Sequence, residues 1–271
     1  MLAAFLLALR EGLEAALIIG ILLGALEKFQ LQSLKRSVWL GVGAAAGTSL
    51  LVGWGLNALG MELEGPAEAA FEGIMMILAA GLLTWMIFWF HQQGAAIRQE
   101  LERSVQFETL RRGAWGLFGA AFTAVGREGI ELAIYLLAAR FAAGALPTWS
   151  GGLSGLGVAA LLGWVLFATT YRLDIRRFFR VSSLLLLLFA AGLVAHGVHE
   201  LNEIGWIPAL MEPLWDTSHW LPEATFLGQV LTALFGYNAN PSLTEVLAYS
   251  AYLVGMGILL LPKPSWRAIH T

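Results

Sequence analysis

Apolar runs of membrane-spanning length occupy residues 2–26, 38–60, 67–90, 116–139, 152–171, 182–202 and 244–262, with shorter polar joints between most of them. A bilayer crossing takes roughly 20 apolar residues, so the pattern predicts an all-α integral membrane protein with seven transmembrane helices. Pro66 introduces the third run, and Pro262 and Pro264 close the last. The first run continues to Leu26 through Arg10, Glu11 and Glu14. It is too long for the apolar stretch of a signal peptide and is read as the first membrane helix. Residues 95–112 predict an amphipathic cytoplasmic connector with Ile97, Leu101 and Val105 on one face. Residues 204–243 hold Trp206, Trp215, Trp220 and a short apolar run from Phe226 to Phe235 closed by Gly236. That composition fits an interfacial or partly re-entrant cap on the outer face, or a docking surface there.

Composition narrows the class further. The set AVILMFWYC makes up 58% of the chain and charged residues only 13%, about half the charge of a soluble domain. Soluble enzymes and nucleic-acid binders are excluded on that ground. The chain has no cysteine, which removes thiolate metal sites, iron–sulfur clusters and disulfides. Orientation follows from the basic residues. Lys28, Lys35, Arg36, Arg98, Arg103, Arg111, Arg112, Arg172, Arg176, Arg177, Arg180, Lys263 and Arg267 lie after helices one, three, five and seven, and Arg140 alone lies on the other side. This bias places the N-terminus outside and the C-terminus in the cytoplasm. Glu62, Glu64, Glu68, Glu212, Asp216 and Glu223 then lie outside, and Arg10 and Arg127 fall within the membrane.

The first six helices contain a duplication. FLLALREGLEAALI (5–18) matches FTAVGREGIELAIY (122–135) at an offset of 117. LLVGWGL (50–56) matches ALLGWVL (160–166) at 110, and AAGLLT (79–84) matches AAGLVA (190–195) at 111. Three helices is an odd number, so the second copy is expected to be inverted, with a substrate site near the midplane where the copies face each other. The organisation reads as a first repeat at 1–90, a connector at 91–115, an inverted repeat at 116–203, an outer loop at 204–243, and a seventh helix with a cytoplasmic tail at 244–271.

The first helix of each repeat carries charge at its centre, Arg10-Glu11-Gly12-Leu13-Glu14 and Arg127-Glu128-Gly129-Ile130-Glu131. Insertion scales put each such residue at roughly 2.5–3.5 kcal/mol at mid-bilayer, so the groups must face a polar cavity and one another. Residues three and four apart share a helix face, and each motif therefore presents one arginine and two carboxylates together. Gly12 and Gly129 are expected to let the two motif helices approach closely. A pair of buried salt bridges accounts for one glutamate per helix. The second leaves two excess negative charges in low dielectric, to be relieved by protonation or by a bound cation. Oxygen-only ligands suit hard cations, and the residues alone leave magnesium, calcium, manganese and iron open.

A doubled Arg-Glu-x-x-Glu motif in helices one and four of a seven-helix chain resembles the oxidase-dependent iron permeases, the family of the fungal high-affinity iron permeases and the bacterial EfeU-type permeases. The resemblance covers essentially the whole chain. It implies iron transport across the cytoplasmic membrane of a prokaryote, with Glu11, Glu14, Glu128 and Glu131 as iron ligands and Arg10 and Arg127 as supporting charges. It also implies an extracytoplasmic iron-oxidising or iron-binding partner, with iron as substrate, no permanently bound cofactor and no nucleic acid. Glu68 and Glu72 on helix three, and His196, His199, Glu200 and Glu203 at the outer end of helix six, form an acidic and histidine-bearing approach that would concentrate cations. The pairs expected there are His196 with Glu200 and His199 with Glu203. The competing readings are a carrier for another divalent cation such as manganese or lead, and a haem-bearing electron-transfer subunit using His91, His196 or His199. His91 and His196 fall at opposite ends of their helices, which argues against a shared haem.

Overall fold

The computed structural model describes residues 1–93, 97–168, 175–223 and 225–260, except the side chains of 89–93, 97–112, 166–168, 175–180, 226 and 233. His91, the apolar face of 95–112, the tail and most of the basic residues that set the expected orientation therefore lie outside the described residues. Among those described there is no strand. The elements are α1 (Leu2–Lys28), a 3-10 turn (Gln32–Leu34), α2 (Lys35–Glu62), α3 (Pro66–Gln93), α4 (Ile97–Ala143), α5 (Ala145–Ala168), α6 (Ile175–Glu203), α7 (Phe226–Phe235) and α8 (Leu243–Leu260).

Seven of these are long, and they follow the seven apolar runs. At Gly113 (φ 57°, ψ −132°) the backbone leaves helical geometry, so α4 is two helices meeting at a kink, close to where the connector was expected to give way to the fourth helix. One boundary differs from expectation. The fifth helix starts at Ala145 instead of 152, with Pro147 in its first turn, where the missing N–H costs nothing. Among the described residues, five segments are long and apolar enough to cross a membrane by length and composition: Gln32–Glu62, Pro66–Phe88, Ala145–Val165, Val181–Glu203 and Leu243–Leu260. Helices α1 and α4, which carry the charged motifs, are not among them.

The short helix α7 begins at Thr225, whose side chain accepts from the Gly228 amide at 3.1 Å. It ends at Gly236 in the left-handed region (φ 66°), a common helix stop.

Helix α1 packs on α4 and α5, α2 on α4, α3 on α6, and α8 on α6. The main apolar cluster joins Leu7 of α1, Leu83 of α3, Tyr135 of α4, Leu186 and Leu193 of α6 and Met256 of α8. Close approaches recur at the offsets of the sequence duplication. A Cβ on Gly41 would meet the Phe118 carbonyl and Ala121, and a Cβ on Gly151 would meet the Met1 carbonyl and Ala4. Gly53 faces Ala133 in the same way that Gly163 faces Ala16. Small residues at such crossings let backbones approach without lost contact.

Candidate functional site: a buried carboxylate group between two helices

Five of the six charged residues of the two motifs lie in the interior of the bundle, where α1 and α4 meet. Arg10, Glu11, Glu14, Glu128 and Glu131 are all buried. One oxygen each of Glu11, Glu128 and Glu131 lies within 4.8 Å of the others. The fold thus brings three of the four expected ligands together, from two helices more than a hundred residues apart in sequence. Glu14 is near this group but not a member of it. Its Oε1 accepts from Arg10 Nε at 3.1 Å.

The two halves are not alike. Arg10 is wholly buried, and its Nη1 also donates to Ser183 on α6 at 3.4 Å. The side chain of Arg127 is 44% exposed. It donates from Nε to Glu131 Oε1 at 2.8 Å and lies over the ring of Trp85 on α3, 5.4 Å from the centroid, within cation–π range. Glu131 has a second partner, Tyr135, whose hydroxyl donates to Oε2 at 3.4 Å. Among the described residues, neither oxygen of the buried Glu11 meets a hydrogen-bond donor. Facing carboxylates of this kind are reconciled only by a proton or a cation between them. Two arginines against four glutamates leave an excess of negative charge, and the donor atoms offered are oxygens alone, the set that hard cations take.

The motif glycines do not serve the contact expected of them. A Cβ on Gly12 would fall 2.6 Å from Ala159 Cβ on α5, and one on Gly129 would fall 2.2 Å from Ser49 Oγ on α2. They admit the flanking helices instead of each other's helix. The reason is geometric: the face that presents the glutamates to the partner motif is not the face that carries the glycine between them.

The outer approach is also partly rearranged. Glu72 is half-buried within α3, in electrostatic reach of Glu68, Glu200, Glu203 and Arg140. Arg140 donates to Asn57 of α2. His196 turns Nδ1 to the Gly192 carbonyl at 3.0 Å, not to Glu200. His199 meets Glu203 at 3.5 Å, as expected, but it also meets Glu245 of α8 at 3.1 Å. Glu245 went unnoticed in the sequence, although Ser242-x-x-Glu245 has the spacing of a capping box. It accepts from the Ser242 amide at 2.9 Å, and Ser242 Oγ accepts from the Glu245 amide at 3.2 Å. Tyr135, Trp85 and Ser183 carried no signal in one dimension beyond Tyr135 standing one turn after Glu131.

Residues 1–270 match the family described as the iron permease FTR1 family. The chain is 35% identical over 258 residues to the ferrous iron permease EfeU of Escherichia coli O6:K15:H31, covering 94% of this chain and 93% of that one. It is 32% identical over 266 residues to the ferrous iron permease EfeU of Yersinia pestis, covering 97% and 94%. No solved structure matches.

Proposed function

Since this chain belongs to the iron permease FTR1 family, a family of transporters and not of enzymes, we propose that it carries iron across the cytoplasmic membrane of a bacterium through the carboxylates of its two charged motifs. The observation that carries the reading is the buried group of Glu11, Glu128 and Glu131, with oxygens within 4.8 Å of one another and more negative charge than its arginines neutralise. Iron held there exchanges its water for carboxylate oxygen. The excess charge offsets the cost of bringing a multivalent ion into low dielectric. Glu14, held by Arg10 outside that group, hands the ion on when its salt bridge opens.

In the same proposal all seven long helices cross the bilayer, and α1–α3 and α4–α6 form an inverted repeat with α8 outside it. The recurrence of glycine contacts at offsets of 110 and 117 supports this. Helices α1 and α4 cross despite their charges because these face each other and the bundle interior. Glu68, Glu72, Glu200 and Glu203, with His196 and His199, line the outer approach. An extracytoplasmic iron-oxidising or iron-binding protein supplies the ion. Carboxylates alone favour the harder Fe(III) over Fe(II), whereas the curated relatives are named for ferrous iron.

The test is iron uptake by the purified protein in proteoliposomes. Fe(II) under anaerobic conditions, Fe(III) and Mn(II) are compared, and Glu131→Ala and Glu14→Ala are included at equal protein content. Loss of iron uptake in Glu131→Ala is expected, with a smaller or equal loss in Glu14→Ala. Uptake of Mn(II) in preference to both iron species would assign the site to a different cation. Near-normal iron uptake by Glu131→Ala would remove the site altogether.

A further inference from the structure

The two motif helices differ one turn beyond their second glutamates. In α4, Tyr135 stands four residues after Glu131 and shares its face. In α1 the position of the same register, 117 residues earlier, is Ile18. Tyr135 is fully buried and belongs to the apolar cluster that also holds Leu7, Leu83, Leu186 and Leu193 from three other helices, so its ring is held by the apolar core. That hydroxyl donates to Glu131 Oε2 at 3.4 Å, and Arg127 Nε donates to Oε1 at 2.8 Å. Glu131 is therefore held at both oxygens. Glu14 receives Arg10 Nε on Oε1 at 3.1 Å, and Ile18, which packs in a separate apolar cluster, has no donor to offer it. The carboxylate with the tyrosine belongs to the buried three-glutamate group, and the one without it does not.

We infer that Tyr135 is a positioning residue for the transported ion: its hydroxyl holds the Glu131 carboxylate in the ion's shell, and the absence of a counterpart at Ile18 makes that shell three carboxylates instead of four. The inference rests on the carboxylate-site reading above. A carboxylate held by a single donor swings about that contact, and a second donor on the other oxygen removes the swing. An ionised carboxylate oxygen has more than one lone pair, so Oε2 accepts the hydroxyl and still faces a cation. The ring cannot follow the carboxylate if it moves, because the core around it is closed. This is the support from outside the ligand set that precise sites require.

The experiment is equilibrium binding of radioactive Fe(II), under anaerobic conditions, to the purified protein in detergent. Wild type, Tyr135→Phe, Glu131→Gln and the double variant are compared, with thermal unfolding recorded for each. Tyr135→Phe keeps the ring in the core and removes one oxygen. It is expected to weaken binding about tenfold at unchanged thermal stability. Glu131→Gln is expected to weaken it more, and the double variant no further than Glu131→Gln alone. Equal loss from Tyr135→Phe in both backgrounds, or no loss in either, overturns the positioning role while leaving the site intact. Wild-type binding by Glu131→Gln overturns the site reading and this inference with it. Should Tyr135→Phe fail to fold, Tyr135→Met fills the same pocket without a hydroxyl and carries the same comparison.

Discussion

Glu11→Gln separates a site built for an ion from one built for stability. The Glu11 side chain is buried, and neither of its oxygens meets a donor among the described residues. Leaving a buried polar group unsatisfied costs about 1–3 kcal/mol, and more when it is charged. Glutamine has the same shape without the charge, and its amide brings a donor that the facing Glu128 carboxylate accepts. The variant is therefore expected to be more stable than the wild type by about 1–3 kcal/mol. At roughly 2–4 °C per kcal/mol for chains of about 150–250 residues, that raises the unfolding midpoint by about 2–12 °C. The same variant should lose iron uptake in proteoliposomes. Iron should also stabilise only the wild type, by about 2.7 kcal/mol at a hundred times its dissociation constant. The assay is thermal unfolding in detergent, followed by tryptophan fluorescence with and without iron, on the preparations used for uptake. A Glu11→Gln protein that unfolds earlier than wild type while transporting normally would refute the reasoning, because Glu11 would then be a packing group satisfied by the fold.

The two arginines should part company: Arg10→Ala leaves Glu14 buried without its ion-pair partner and should cost about 3–5 kcal/mol, the range for breaking a buried pair, whereas Arg127→Ala, at a half-exposed side chain, should cost much less stability yet still impair uptake. Detergent unfolding midpoints of the two variants check this, and equal losses would count against it. Gly12→Ala forces a methyl group to 2.6 Å from Ala159 Cβ and should destabilise by about 1–3 kcal/mol, as overpacking does, with Ala159→Gly restoring the folded yield. At the outer face, Glu68→Gln should raise the apparent KM modestly and only at low salt, because an exposed charge is screened within about 8 Å at physiological ionic strength. Glu72→Gln, half-buried in α3, should lower the maximal rate as well, and an effect confined to KM that vanishes at high salt would make Glu72 a surface funnel residue.

Much of this molecule was legible in one dimension because the bilayer imposes its own length. Seven apolar runs predicted seven long helices, and the short helix after Thr225 was visible as an apolar run stopped by Gly236. The motif stood out for an energetic reason: charges within apolar runs of this length are costly in a bilayer, so they were expected to face inward, as Arg10, Glu11, Glu14, Glu128 and Glu131 do, while Arg127 stays partly exposed. Helical periodicity placed Glu14 on the face of Arg10 and Glu131 on the face of Arg127, as their ion pairs bear out. What periodicity does not contain is the rotation of one helix against another. That rotation, set by close packing at small residues, put Gly12 against α5 and Gly129 against α2. It drew Glu11, Glu128 and Glu131 into one group while leaving Glu14 to Arg10. It brought Trp85 under Arg127 and Glu245 onto His199. Each of these contacts joins groups by shape in three dimensions, and neither the spacing nor the hydropathy of the chain records which faces will meet.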